Sequence, residues 1–168
     1  RDSYDHAFAV LAAAWLLRAT GDAGVRRTLE ELLSFVDEHL TDAHGALREG
    51  RPNTLPNRQN PQMHWFEAML ALCETDVHAS GASRALHHRR FAEERLFDAG
   101  TGMLCEYFSA DWQPLAGDQG EVVEPGHLAE WVWLLRRHDA LSGEQPSALA
   151  GKLMQAGLRF RCSKHNLL

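Results

Sequence analysis

Pro61-Gln62-Met63-His64-Trp65-Phe66-Glu67-Ala68-Met69-Leu70-Ala71-Leu72 is helix-forming and apolar around nearly its whole circumference. A helix without a polar face has to be buried on every side. Residues 4–19 and 126–141 share this character, and each of the three stretches carries a His about one turn in. These are His6 in YDHAFA, His64 in MHWFEA and His127 in GHLAEW, 58 and 63 residues apart. Residues 23–40, 83–97 and 147–160 read as amphipathic helices rich in charge, as in RRTLEELLSFVDEHL (26–40). Six helices in three pairs, apolar partner inside and amphipathic partner outside, predict an all-α, α/α toroid-like architecture. In such a stack, equivalent positions of successive units gather at one end. The spacing therefore predicts His6, His64 and His127 at a common mouth.

The linkers repeat as well. Asp42-Ala43-His44-Gly45-Ala46-Leu47-Arg48-Glu49 and Asp98-Ala99-Gly100-Thr101-Gly102-Met103-Leu104-Cys105-Glu106 share the pattern Asp…Gly-x-Leu-x-Glu. Gly suits a left-handed turn position. The second linker runs on through Tyr107, Phe108 and Trp112, and reads as a short β-hairpin over 104–115.

Composition narrows the function. At 45% apolar and 24% charged, the 168 residues have the balance of one soluble globular domain. A net charge of −6 with scattered basic residues argues against nucleic acid. No apolar run approaches the roughly 20 residues of a membrane span. Cys73, Cys105 and Cys162 are odd in number and form no CxxC, so neither a disulfide framework nor a zinc knuckle is indicated, and a reducing cytoplasm fits best. The chain opens on Arg1-Asp2-Ser3-Tyr4 without a Met or a leader, which reads as a piece of something longer.

Glu124-Pro125-Gly126-His127-Leu128-Ala129-Glu130-Trp131 carries the strongest chemistry. Pro-Gly opens the helix and sets His127 in its first turn, near the positive end of the dipole. That placement by itself favours a neutral imidazole, the form that abstracts protons. Glu130, one turn on, is expected to hold the ring or bind a hydroxyl, with Glu124 just ahead of the helix. Asn60 and His64 are four apart and can face one mouth. Asn60 is equally readable as an N-cap. Asp5 and His6 read as ordinary helix-start residues. The His-x-x-Glu pairs His64/Glu67 and His127/Glu130 leave a metal-binding helical protein as an alternative, although di-metal bundles use Glu-x-x-His and more carboxylates. A non-catalytic helical-repeat scaffold is the third reading.

RQNPQMHWFEAMLAL (58–72) and EVVEPGHLAEWVWLL (121–135), with YDHAFAVLAAAWLLRATGD (4–22) ahead of them, resemble the N-acylglucosamine 2-epimerase superfamily. That superfamily includes cellobiose 2-epimerases and mannose- or sulfoquinovose-type aldose–ketose isomerases. The resemblance runs over residues 1–157 and implies part of an (α/α)6 barrel, with residues 158–168 an atypical tail. It implies a mono- or disaccharide substrate, no cofactor, and proton transfer at C2 by a His acid/base. His127 matches the family's catalytic His in Glu-Pro-Gly-His, and Glu130 the carboxylate after it. Asn60, His64, Tyr4, Glu124 and Trp131 fall at or beside sugar-contacting positions. Gln62 stands where the family often has His. Six helices are half of the barrel's twelve, and a second catalytic His is expected beyond these residues. The first and last inner helices should then be partly bare, and a homodimer is one assembly that would complete a ring.

Overall fold

A computed structural model describes residues 2–75, 77–143 and 145–160. It contains α1 (Ser3–Thr20), α2 (Ala23–His39), α3 (Gln59–Leu72), α4 (His78–Phe91), α5 (Pro125–Ser142) and α6 (Ala148–Gly157). Four two-residue strands lie in the linkers: β1 (Asn57–Arg58), β2 (Phe97–Asp98), β3 (Met103–Leu104) and β4 (Tyr107–Phe108). A 3-10 turn, Leu158–Phe160, continues α6. The expected tail otherwise lies outside the described residues. Among the described residues no helix is long and apolar enough to cross a membrane.

α1, α3 and α5 pack side by side as an inner layer, and α2, α4 and α6 cover them one to one. α3 is the middle of the layer. Every residue from Gln59 to Leu72 is buried except Asn60 and Glu67, which are half-exposed. Burial all round therefore holds for α3 alone. α1 and α5 are flanked on one side only and leave Phe8, Trp15 and Leu16 of α1 and Trp133 of α5 exposed. The bare edges expected of a half toroid are present.

α4 starts five residues before the expected 83. Gly81 explains this: a Cβ there would meet the Cys73 backbone nitrogen at 2.8 Å. The Ser80-Gly81 pair is thus a close crossing of α4 over the end of α3, not a break before the helix. A π-turn, Ala92–Leu96, then leads into β2.

The expected hairpin over 104–115 also resolves differently. β3 turns back on β2, whereas β4 pairs antiparallel with β1, just ahead of α3. A single bridge, Phe108↔Pro114, remains of that hairpin. Each linker is stitched under an inner helix by its final Glu. The carbonyl of Glu49 accepts from Ser3 N at 3.1 Å, and that of Glu106 accepts from Gln59 N at 3.0 Å. These are first-turn N–H groups that a helix cannot satisfy itself.

Counted from the residue that precedes each inner helix, Asp2, Arg58 and Glu124, the three histidines are out of phase. His6 lies four residues on, His64 six and His127 three. The structural equivalent of His6 is Gln62, which is fully buried. Its amide donates to Leu47 O at 2.7 Å and accepts from Leu47 N at 2.9 Å. Gln62→Leu would leave two buried backbone groups unpaired, each costing about 1–3 kcal/mol. Urea denaturation should show a loss of about 2–6 kcal/mol, while an exposed control such as Arg27→Ala should stay within about 0.5 kcal/mol.

Candidate functional site

The sixth position after the helix start carries Phe8 on α1, His64 on α3 and Glu130 on α5. Packed in order, these three form a row. The Phe8 ring centroid is 4.6 Å from that of His64. His64 Nδ1 is 3.7 Å from Glu130 Oε1 and 3.1 Å from Glu67 Oε2, one turn further along α3. Tyr4 meets the His64 ring edge-on at 5.2 Å. The imidazole is thus held by two aromatic rings and faces two carboxylates.

His127 has a different environment. Its Nδ1 lies 2.9 Å from Glu106 Oε1. Glu106 is buried, and also accepts from Gln59 Nε2 at 3.0 and 3.1 Å. The Gln59 amide cannot be turned over, because its Oε1 accepts from Trp131 Nε1 at 2.7 Å, and an indole N–H only donates. The imidazole and the amide N–H therefore converge on one carboxylate. The proton of His127 sits on Nδ1, and the 2.8 Å approach of Gln59 Nε2 to Nδ1 is crowding around that shared acceptor. Nε2 remains to take a proton from outside.

Glu106 raises the His127 pKa above the ordinary imidazole value, mainly through this hydrogen bond and against the opposing effect of burial. The sequence argument from the helix dipole pointed the other way. A buried carboxylate in direct contact outweighs the fractional charge of a helix terminus.

The remaining expected residues divide. Tyr4 and His64 join the site. Asn60 is half-exposed in the first turn of α3, with Oδ1 buried and without a hydrogen-bond partner among the described residues. It is not the N-cap; Arg58 is. Glu124 is exposed just before α5 and makes no side-chain cap bond. Glu130 does not orient His127; Glu106 does, and Glu130 turns to His64. Trp131 is fully buried against Phe66, so it acts by fixing Gln59 and does not present its ring to a ligand. His6 stacks on Phe35 of α2 at 5.2 Å and bonds the Asp2 carbonyl, away from the row. The two His-x-x-Glu motifs thus do not make two equivalent pairs.

Gln59, Glu106 and Phe8 were missed. The signal for Glu106 was the repeated Asp…Gly-x-Leu-x-Glu linker, whose last residue is Glu49 in one copy and Glu106 in the other. Glu49 is buried as well, and takes Arg58 N and Nε at 2.6 Å each. Burial keeps its carboxyl above the usual carboxylate value in spite of Arg58. An apolar cavity of about 330 Å³ lies between α3, α4 and α5 and is lined by Leu70, Cys73, Leu86 and Leu141. It holds none of the His–carboxylate groups, which face the open side of the half ring.

The sequence matches the family model of N-acylglucosamine 2-epimerase over residues 1–166. It is 35% identical over 161 residues to a mannose-6-phosphate isomerase of Rhizobium meliloti, covering 93% of this chain and 42% of that protein. It is 30% identical over 164 residues to a D-mannose isomerase of Thermobifida fusca, covering 89% and 40%. The chain thus spans about two-fifths of the length of these relatives. Its fold is similar to that of a cellobiose 2-epimerase from Spirochaeta thermophila, with a TM-score of 0.79, 23% identity, and 95% and 44% of the two chains covered. It is similar also to a solved D-mannose isomerase, with a TM-score of 0.80, 20% identity, and 95% and 45% of the two chains covered. These likenesses establish an α/α-barrel fold.

Because the folded His127 pKa lies above its unfolded value, the Glu106 contact contributes stability that is full below pH ~6.5 and is lost as pH rises through the folded value. Titration of the His127 ring protons by NMR should give a midpoint above the ordinary imidazole value. Glu106→Gln should lower that midpoint. An unchanged midpoint would remove Glu106 as the cause.

Proposed function

The chain belongs to the N-acylglucosamine 2-epimerase family, and on that premise we propose that it serves a sugar 2-epimerase or aldose–ketose isomerase. The supporting observation is the His127–Glu106 pair: an imidazole with one nitrogen fixed on a buried carboxylate and the other without a hydrogen-bond partner among the described residues. That is the arrangement of a general base whose tautomer is set by its partner. His127 Nε2 takes the C2 proton of an open-chain sugar, and Glu106 stabilises the imidazolium that forms. The electron pair moves onto the sugar's own carbonyl, giving an enediolate. Passage of the O2 proton to O1 and return of the carbon-bound proton to C1 yield a ketose. Delivery to C2 on the other face yields the epimer, and needs a second acid.

Asn60, Tyr4, His64 and Glu130 hold sugar hydroxyls. The orphaned Oδ1 of Asn60 suits a hydroxyl donor, and the exposed Phe8 ring gives an apolar sugar face a platform. The substrate is a mono- or disaccharide. Isomerisation of a mannose-type aldose is the favoured reaction, because both curated relatives are mannose-type isomerases by name. The domain unit is residues 1–157, and its thiols Cys73 and Cys105, which form no disulfide among the described residues, suit a reducing cytoplasm. Trp15, Leu16 and Trp133 need cover, from further helical pairs or a second copy in a homodimer.

The test is proton exchange with solvent. In deuterium oxide the active protein should place deuterium at C1 or C2 of the sugar, read by NMR, with ketose and C2 epimer distinguished in the same spectrum. His127→Ala should abolish exchange. Glu106→Gln should lower kcat by about 10²- to 10⁴-fold and move the rising limb of the pH–rate profile to lower pH. Exchange that persists in His127→Ala would remove His127 as the base.

A further inference from the structure

The row that holds His64 has a property beyond sugar binding. Glu67 Oε2 and Glu130 Oε1 both face the same nitrogen, His64 Nδ1, at 3.1 and 3.7 Å. One ligand atom from each of the three residues can be chosen so that all lie within 4.8 Å of one another. Among the described residues neither carboxylate has a Lys or Arg partner. This contrasts with Glu49, which has Arg58, and Glu74, which binds both Arg18 and Arg137. Two carboxylates face an imidazole with no fixed cation to balance them.

We propose that His64, Glu67 and Glu130 form a site for a single divalent transition-metal ion, with Zn²⁺ the best fit, and that metal and sugar exclude one another there. Zinc takes nitrogen at about 2.0–2.1 Å and carboxylate oxygen at about 2.0–2.2 Å. Ligand atoms on the edge of such a tetrahedron stand about 3.4 Å apart. The two separations from His64 straddle that value, and all three ligand atoms lie within 4.8 Å of one another, so an ion would draw the carboxylates in around it. The ring is already held between Tyr4 and Phe8. His-x-x-Glu places His64 and Glu67 on one face of α3, and α5 supplies Glu130 across the interface. Three protein ligands leave a fourth position open toward the concave side. One imidazole and two carboxylates suffice for one ion and not for a di-metal centre. The mixed nitrogen and oxygen set prefers Zn²⁺ to Mg²⁺.

The ligand set stands without the functional reading; only the competition with sugar rests on it. Metal-free protein titrated with Zn²⁺ in a calorimeter should show one saturable site, with Mg²⁺ failing to compete. Co²⁺ should give the visible bands of a tetrahedral ion, a readout that uses no variant. Glu67→Gln and Glu130→Gln should each weaken Zn²⁺ at least about tenfold, since even an outer-shell partner is worth 10- to 100-fold. His87→Ala, outside the row, should leave binding unchanged. In the exchange assay Zn²⁺ should raise the apparent KM without lowering kcat, reversed by chelator. No saturable Zn²⁺ site, or binding unmoved by both Glu→Gln changes, overturns the metal site. Tight binding with an unchanged KM overturns the exclusion while leaving the ligands assigned. Loss of exchange in metal-free protein would count against the proposed chemistry, and not against the site.

Discussion

Buried carboxylates beneath the starts of the inner helices hold successive units of this fold in register. A buried carboxylate is costly unless it is hydrogen-bonded and faces positive charge. Glu49 meets both conditions through Arg58, and Glu106 meets the first outright and the second when His127 is protonated. The carbonyl of each caps the inner helix of its own unit, and the carboxylate reaches to the start of the next. Glu49 finds a backbone N–H and a guanidinium. Glu106 finds an amide and an imidazole. The same position of the repeat thus differs between units: in one the carboxylate joins an ion pair with Arg58, and in the next it raises the proton affinity of an imidazole.

The opposite end of the inner layer is closed by a different device. Glu74, just past α3, binds Arg18 of α1 and Arg137 of α5. The Arg137 guanidinium lies over Trp15 at 5.3 Å and Trp133 at 5.5 Å. Charge and stacking together tie α1 and α5 to the end of α3. The layer is thus pinned at both ends, by linker carboxylates at the mouth and by Glu74 at the far end. Residues between them on the concave side are free to serve a ligand.

Helix number, pairing and the inner–outer division were legible because the 3.6-residue period of apolar side chains survives any tertiary context. His127, Asn60, His64 and Tyr4 stood out in the sequence as polar groups on otherwise apolar helices. Phase was not. A His one turn into a helix looks like any other, yet each residue turns a side chain by about 100°, and the true phase is counted from the first hydrogen-bonded N–H. That count turns the expected row of three histidines into Phe8, His64 and Glu130, and sends His6 to the outer layer. Glu106 escaped for a related reason. Its motif was visible, but whether a linker Glu is solvated or buried depends on how the strand after it pairs. That pairing, β4 with β1, joins residues about fifty apart in the chain.

The two imidazoles of the mouth are chemically unlike because their carboxylates are differently placed. At His127 one buried carboxylate engages Nδ1 while Nε2 stays free, so the ring can gain a proton on one side and be compensated on the other. At His64 two carboxylates crowd the same nitrogen and aromatic rings occupy the flanks. Such a ring is fixed in orientation and surrounded by acceptors, which suits donating to hydroxyls or ligating a cation more than cycling a proton. A like assignment for both would require Glu130 to serve His127, and Glu130 is turned to α3. On the proposed reading, the difference between base and binding residue therefore follows from which helix each carboxylate leans toward, not from the imidazoles themselves.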